Sequence, residues 1–306
     1  HFRTRLDMED LNVRVSMIPT VFGEKTVMRL LAKNAKIDHS GQFGMNEYAY
    51  KQFLPMLDFP NGIVYITGPT GSGKSTTLYM VLEHLAQRNV NISTIEDPVE
   101  KNIKGINQTQ TNLMAGLTFE KGLRALLRQD PDIIMVGETR DAETASISVR
   151  AAITGHVVFS TLHTNNATSS IVRLRDMGVE NYLIANSLVG LVAQRLMRKN
   201  CMNCREEVEV SLSERIWLPE DIHKTYRSKG CPSCKNTGFA GRIAVHEVVS
   251  VDKELRGMIA RNAPMDEVDA YARNVQGMKT LLEQGIDLLR QGIIPYEEML
   301  KLIYYV

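Results

Sequence analysis

From Ile63 to Met177 the chain alternates short apolar runs with longer stretches of helical character. The runs IVYIT, NISTI, DIIMV and HVVFSTL read as strands. Lys74 to Arg88, Phe119 to Arg128, Asp141 to Thr154 and Ala167 to Met177 read as helices. That order argues for a mostly parallel sheet covered by helices, an α/β fold. A further helix is expected from Asn181 to Lys199. Upstream, LNVRVSMIP and KTVMRLL alternate as strands do and are joined at Phe22-Gly23-Glu24, which predicts a small sheet domain. Ala32 to Gly44 is a linker candidate, with a boundary near residue 40. After Cys201 a cysteine-bounded insert runs to Cys234, followed by the strand-like GRIAVHEVV. From Asp252 onward the pattern is helical, broken at Pro264, Gly277 and Gly292 to Pro295. Its apolar residues, from Met278 to Leu289, are expected to pack in the core.

Length and composition narrow the classes. At 306 residues, 43% hydrophobic and 23% charged, the chain is globular and long enough for two or three domains. Its net charge of +1 gives no global attraction to nucleic acid. No apolar run approaches the roughly 18 residues needed to cross a bilayer, so no direct membrane insertion is expected. The chain opens at His1 without a start methionine or signal-like segment, and reads as a fragment lacking upstream domains. All four cysteines fall in Cys-x-x-Cys pairs, typical of a metal site in a reducing compartment, and cytoplasm is the expected location.

Gly68-Pro69-Thr70-Gly71-Ser72-Gly73-Lys74-Ser75 matches G-x-x-x-x-G-K-[ST] between an apolar strand and a helix. Phosphate oxygens need several donors from one side, and glycines let the loop turn its backbone N–H groups inward. The following helix adds its positive end, where Thr76 also lies. Lys74 is expected on the β and γ phosphates and Ser75 on Mg²⁺. Two acidic strand ends face the same crevice. Glu96 and Asp97 follow ISTI. Gly137-Glu138 follow IIMV, with Gly137 where an acidic residue normally stands. Glu138 is placed to reach the metal through water or to orient the attacking water. His163 follows the end of HVVFSTL, whereas His156 opens it.

GPTGSGKSTT, TIEDPVE, LRQDPDIIMVGETRD and AITGHVVFSTLHTNNA occur in the order seen in type II secretion and type IV pilus assembly ATPases, and the chain resembles that family over nearly its whole length. The resemblance implies a RecA-like P-loop NTPase domain using ATP/ADP with Mg²⁺. It also implies a truncated small α/β (PAS-like) domain ahead of it. Within it, Glu96 corresponds to the general base, Glu138 to a metal-side carboxylate and His163 to a sensor near the γ-phosphate. Arg14 and Arg29 resemble arginines that reach the nucleotide, although solvated strand residues fit the pattern too. Arg124 and Arg128, four apart, share a helix face. The family form is a homohexamer, peripheral at the cytoplasmic face of the inner membrane, acting on an inner-membrane platform protein.

Cys201, Cys204, Cys231 and Cys234 supply two pincers able to close a tetrahedral thiolate shell around structural Zn²⁺. By the resemblance, such an insert belongs to secretion and pilus-extension ATPases and is generally missing from retraction ATPases. The expected divisions are 1–39 (small sheet domain), 40–199 (ATPase core), 200–240 (zinc-binding insert) and 241–306 (helical subdomain). The expected function is an ATP-hydrolysing motor of pilus assembly or type II secretion. The alternatives are a DNA-uptake or DNA-translocating motor, and a nucleotide-gated zinc scaffold without turnover.

Overall fold

A computed structural model describes residues 2–6, 9–32 and 40–303; among the first forty residues it describes the side chains of Val13 and of residues 15–28. The expected linker therefore lies mostly outside the described residues. Three antiparallel strands come first: β1 (Phe2–Leu6), β2 (Glu9–Thr20) and β3 (Gly23–Ala32). The turn at Val21-Phe22 joins β2 to β3, and Thr20 Oγ1 closes it by donating to Gly23 O at 2.7 Å.

The rest builds on one seven-stranded sheet. In chain order its first part comprises α1 (Glu47–Phe53), β4 (Gly62–Thr67), α2 (Lys74–Leu85), β5 (Ile92–Glu96), β6 (Asn107–Gln110) and α3 (Phe119–Leu126). There follow β7 (Ile133–Val136), α4 (Ala142–Ile153), β8 (Val157–Leu162), α5 (Ser169–Asp176), α6 (Asn181–Ser187) and β9 (Leu188–Asn200). An insert carries β10 (Arg205–Glu209), α7 (Leu212–Arg215) and β11 (Lys224–Ser228). The chain then forms β12 (Phe239–Ser250), α8 (Lys253–Ala260), α9 (Met265–Asn274), α10 (Leu281–Arg290) and α11 (Tyr296–Ile303). Strand order is β12-β9-β4-β8-β7-β5-β6, parallel except for β12, which runs antiparallel to β9.

Both faces are covered, which is why the strands lack polar alternation. Every residue of β4 is buried; Ile63 and Tyr65 enter one apolar cluster, with α3 to α6 and the C-terminal helices, while Val64 and Ile66 enter the other, with α1 and α2. Helix starts follow local chemistry. The Asp141 carboxylate accepts from Thr144 N at 2.8 Å and opens α4, and Thr280 with Glu283 forms a capping box on α10.

The expected helix from Asn181 to Lys199 is corrected by the structure. It stops after Ser187, and Leu188–Asn200 is β9, inserted between β4 and β12. Burial on both faces hides its period of two; Val189 and Val192 favour extended backbone, and Gly190 disfavours helix. Gly190 also permits close packing, since a Cβ there would come within 2.2 Å of Met56 Sδ. The polar edge strand β6, NQTQ, carries no apolar signal and was not expected.

Candidate active site

β4 delivers the chain into the phosphate-type loop. Gly68, Gly71 and Gly73 have φ of +148°, +83° and +90°, which side-chain-bearing residues avoid. Gly73 precedes α2 without any side-chain cap, so the first amide N–H groups of the helix remain available to an anion. Thr70, Gly71, Gly73, Lys74, Ser75 and Thr76 border a cavity of about 700 Å³. Gly68 and Ser72 are buried behind the loop, with Pro69 beside them. Lys74 Nζ folds over the loop, donating to Gly68 O at 2.6 Å and Pro69 O at 3.1 Å. Burial brings its ammonium down to about 8, and the Arg195 charge adds to this against the opposing pull of Glu138.

Across the cavity stand the acidic strand ends. β5 and β7 are parallel neighbours, so Glu96 and the Gly137-Glu138 pair emerge side by side. Glu96 is only 3% exposed. Its Oε1 accepts from Thr94 Oγ1 at 2.5 Å and Gln108 Nε2 at 3.1 Å, and its Oε2 accepts from the Tyr79 hydroxyl. Burial, followed by the Glu96 charge, raises the Tyr79 phenol, which stays protonated and donating. Glu138 binds Arg140 Nη2 at 2.6 Å and His163 Nε2 at 2.8 Å. Burial alone would raise the Glu138 carboxyl, but Arg140, His163 and Lys74 together hold it below its ordinary value. His163 is also lowered, by burial and then by Lys74, against the raising pull of Glu138. The two shifts describe a neutral imidazole donating to a carboxylate, because desolvation and the lysine outweigh the ion pair.

The arrangement has the parts of phosphoryl transfer: an anion cradle, a lysine, a hydroxyl at the helix start, and carboxylates from two neighbouring strands. Glu96, Asp97, Glu138 and His163 all border the cavity. Arg14 and Arg29 are register partners on β2 and β3; their side chains lie outside the described residues. Arg124 is engaged by Glu120 at 2.9 Å and Glu143 at 3.3 Å, while Arg128 lies past the end of α3. His156 Nδ1 sits 3.1 Å from Ala151 O and closes α4. Two residues escaped sequence reasoning. Tyr79 looks like any apolar position of α2, and Gln194 was hidden by the helix reading, although a polar Gln-Arg pair inside LVGLVAQRLM was a usable signal.

Strand pairing also builds the cysteine cluster. β9 pairs with β12 and β10 with β11, which brings the two Cys-x-x-Cys turns to one point. Their ligand atoms all lie within 4.8 Å of one another. Sulfurs are 3.8 Å apart for Cys201 and Cys231, 3.8 Å for Cys231 and Cys234, and 4.0 Å for Cys204 and Cys234. Disulfides need about 2.05 Å, whereas four sulfurs at about 2.3 Å from a tetrahedral centre sit close to 3.8 Å apart. Cys231 N and Gly238 N donate to Cys234 Sγ at 3.2 and 3.3 Å. Burial would raise that thiol; these donors and the neighbouring sulfurs prevail and bring it down to about 6. The residues fit a zinc ion.

A family model described as "Type II/IV secretion system protein" matches residues 1–301. The chain belongs to that family. This type II/IV secretion system family member is 48% identical over 296 residues to the type IV pilus assembly ATPase PilB of Thermus thermophilus, covering 95% of this chain and 33% of the relative. It is 44% identical over 300 residues to the type II secretion system ATPase E of Vibrio cholerae, covering 97% and 59%. The family member thus spans between about a third and three fifths of the length of these curated relatives. Among solved structures it resembles the pilus retraction motor PilT with bound ADP, with a TM-score of 0.67 and 26% identity over 98% of this chain and 76% of that one. The fold is shared with the Legionella pneumophila ATPase DotB, with a TM-score of 0.69 and 23% identity over 100% of this chain and 76% of that one. No helix among the described residues is long and apolar enough to cross a membrane.

Proposed function

We propose that this chain is the ATP-hydrolysing unit of a motor for type IV pilus assembly or type II protein secretion. One observation carries the reading. A glycine-rich loop with Lys74 and Ser75 faces Glu96, Glu138 and His163 across one cavity of about 700 Å³, in a chain whose relatives are named pilus and secretion ATPases. Gly68 to Thr76 hold the phosphates, and Ser75 with Glu138 serves Mg²⁺, which neutralises charge on the transferring phosphoryl group when bound. Glu96, held by three donors, orients the lytic water and takes its proton. His163, kept neutral, stays within hydrogen-bond reach of Glu138 and so senses the γ-phosphate side of the cavity.

The finer architecture follows the same reading. Residues 1–39, with the sheet of β1, β2 and β3, belong to a small PAS-like α/β domain, and its Arg14 and Arg29 bring positive charge to bound nucleotide. Residues 40–199 form the RecA-like core, 200–240 a knob folded around zinc, and 241–306 a helical subdomain entered through the edge strand β12. The chain works as a homohexamer at the cytoplasmic face of the inner membrane, on a platform protein of the secretion or pilus machinery. The tetracysteine knob favours assembly or export over retraction. Magnesium-dependent ATP turnover by the purified protein, lost in Lys74→Ala, is the expected result. A protein that binds no nucleotide, or whose Lys74→Ala variant turns over normally, would overturn the reading.

A further inference from the structure

Gln194 lies under the phosphate loop and is 2% exposed. It stands on β9 one residue past the last pairing of that strand with β4, Thr67 with Ala193, so the sheet carries it directly beneath the point where β4 becomes the loop. Its side chain is used at both ends. Nε2 donates to Ser72 O at 2.9 Å, and Oε1 accepts from Thr77 Oγ1 at 3.0 Å, one partner in the loop and one in the first turn of α2. The loop is pressed onto it: a Cβ on Gly73 would lie 2.8 Å from Gln194 Nε2, and a Cβ on Gly68 would lie 2.4 Å from Gln194 O. That carbonyl is held in turn by Arg195 Nη1 at 3.2 Å, while Arg195 Nη2 donates to Asn165 O at 2.8 Å in the segment after His163.

Peptide geometry gives these contacts a consequence. In a trans peptide the C=O and the following N–H point in opposite directions. Tying Ser72 O down to Gln194 therefore aims the N–H of Gly73 the other way, and Gly73 borders the cavity. The second bond fixes the start of α2, where the remaining amides converge. We infer that Gln194 is a positioning residue that presets the anion cradle, holding the Gly73 amide and the α2 N-terminus in the phosphate-binding arrangement before nucleotide arrives. The inference rests on the reading of the loop as a nucleotide cradle. It extends that reading to a side chain that touches no nucleotide and acts through the backbone. Preorganisation of this kind lowers the ordering cost of binding, so its loss weakens phosphates and leaves the base unaffected.

The test compares wild type, Gln194→Leu and Thr77→Val in the full protein, well below their melting temperatures. Read-outs are the Kd of a fluorescent ADP analogue, its displacement by tripolyphosphate, and KM and kcat for ATP. Gln194→Leu is expected to raise the Kd, the tripolyphosphate competition constant and KM by about tenfold, with kcat within about twofold. A shared loss for tripolyphosphate and ADP assigns the effect to the phosphate cradle, which general destabilisation would not move. Thr77→Val, which removes one tether, is expected to raise Kd about threefold. The double variant is expected to be no weaker than Gln194→Leu alone, because both act through one side chain. Kd and KM within twofold of wild type in Gln194→Leu would overturn the inference; if that variant does not fold, an unchanged Kd in Thr77→Val does so. A wild-type protein without nucleotide affinity, visible in the control, would instead remove the functional reading beneath it.

Discussion

Gly137 and Glu96 end adjacent strands in direct contact: a Cβ on Gly137 would come within 3.3 Å of Glu96 Cα and of Ile95 O. Gly137 N donates to Ile95 O at 2.8 Å, and Thr161 Oγ1 donates to Gly137 O at 2.8 Å, so neither strand end can move aside cheaply. A residue with no Cβ at 137 suits this tight packing, and Glu138, one residue later, is the carboxylate proposed to serve the metal side. Gly137→Asp, which restores the commoner acid, is expected to cut ATP turnover by about tenfold or more by displacing Glu96. Steady-state hydrolysis at saturating ATP reads this; turnover at or above the wild-type level would show that Glu96 tolerates the shift.

Lys74 is expected to set a pH limit on nucleotide binding. Its ammonium is brought down to about 8 chiefly by burial, and bound phosphates pull it back up, so binding above that pH must take up a proton. Affinity for ADP is expected to be flat below pH 8 and to fall by up to about tenfold per pH unit above it. Calorimetry in buffers of different ionisation enthalpy measures both the fall and the proton uptake. Constant affinity between pH 7 and 10 would contradict the assignment.

His246 in β12 is wholly buried, and neither ring nitrogen has a hydrogen-bond partner among the described residues. Burial brings its imidazole down to about 3. Because the folded-state value lies below the unfolded one, the unfolded chain binds the extra proton between about pH 6.5 and 3. Stability contributed by the neutral form is therefore complete above pH 6.5 and is lost on acidification, at up to about 1.4 kcal/mol per pH unit. His246→Leu is expected to flatten that slope relative to wild type in urea melts between pH 7 and 4. Equal slopes would show that the ring finds a partner when protonated.

The cysteine cluster is predicted to be structural and remote in its effect. Metal analysis of freshly purified protein is expected to find one zinc per chain, as four thiolates at tetrahedral spacing imply. Cys234→Ser is expected to lower the Tm by several degrees while ADP affinity stays within about twofold. Protein without zinc, or a Tm that does not move, would remove the metal from the account.

Legibility in the sequence followed how directly a residue type reports its surroundings. The loop from Gly68 to Ser75 was legible because phosphate binding demands glycines, a lysine and a hydroxyl at fixed spacing. β4, β5, β7 and β8 were legible as apolar runs bounded by polar turns, and their carboxyl ends located Glu96, Glu138 and His163. β9 was misread because a strand buried on both faces has no period to show, and β6 because an edge strand of NQTQ buries nothing apolar. Tyr79 and Gln194 were missed for a further reason. Each acts through a partner distant in sequence, Glu96 for one and Ser72 for the other, and such pairing exists only once the sheet order is known.

Glu96, gripped by Tyr79, Thr94 and Gln108, is expected to serve the chemical step and not the binding of nucleotide. Glu96→Gln keeps the size of the side chain and removes its basicity. ATP hydrolysis by this variant is expected to fall by about a hundredfold or more while ADP and ATP affinities stay within about threefold of wild type. Near-normal turnover with intact binding would contradict it.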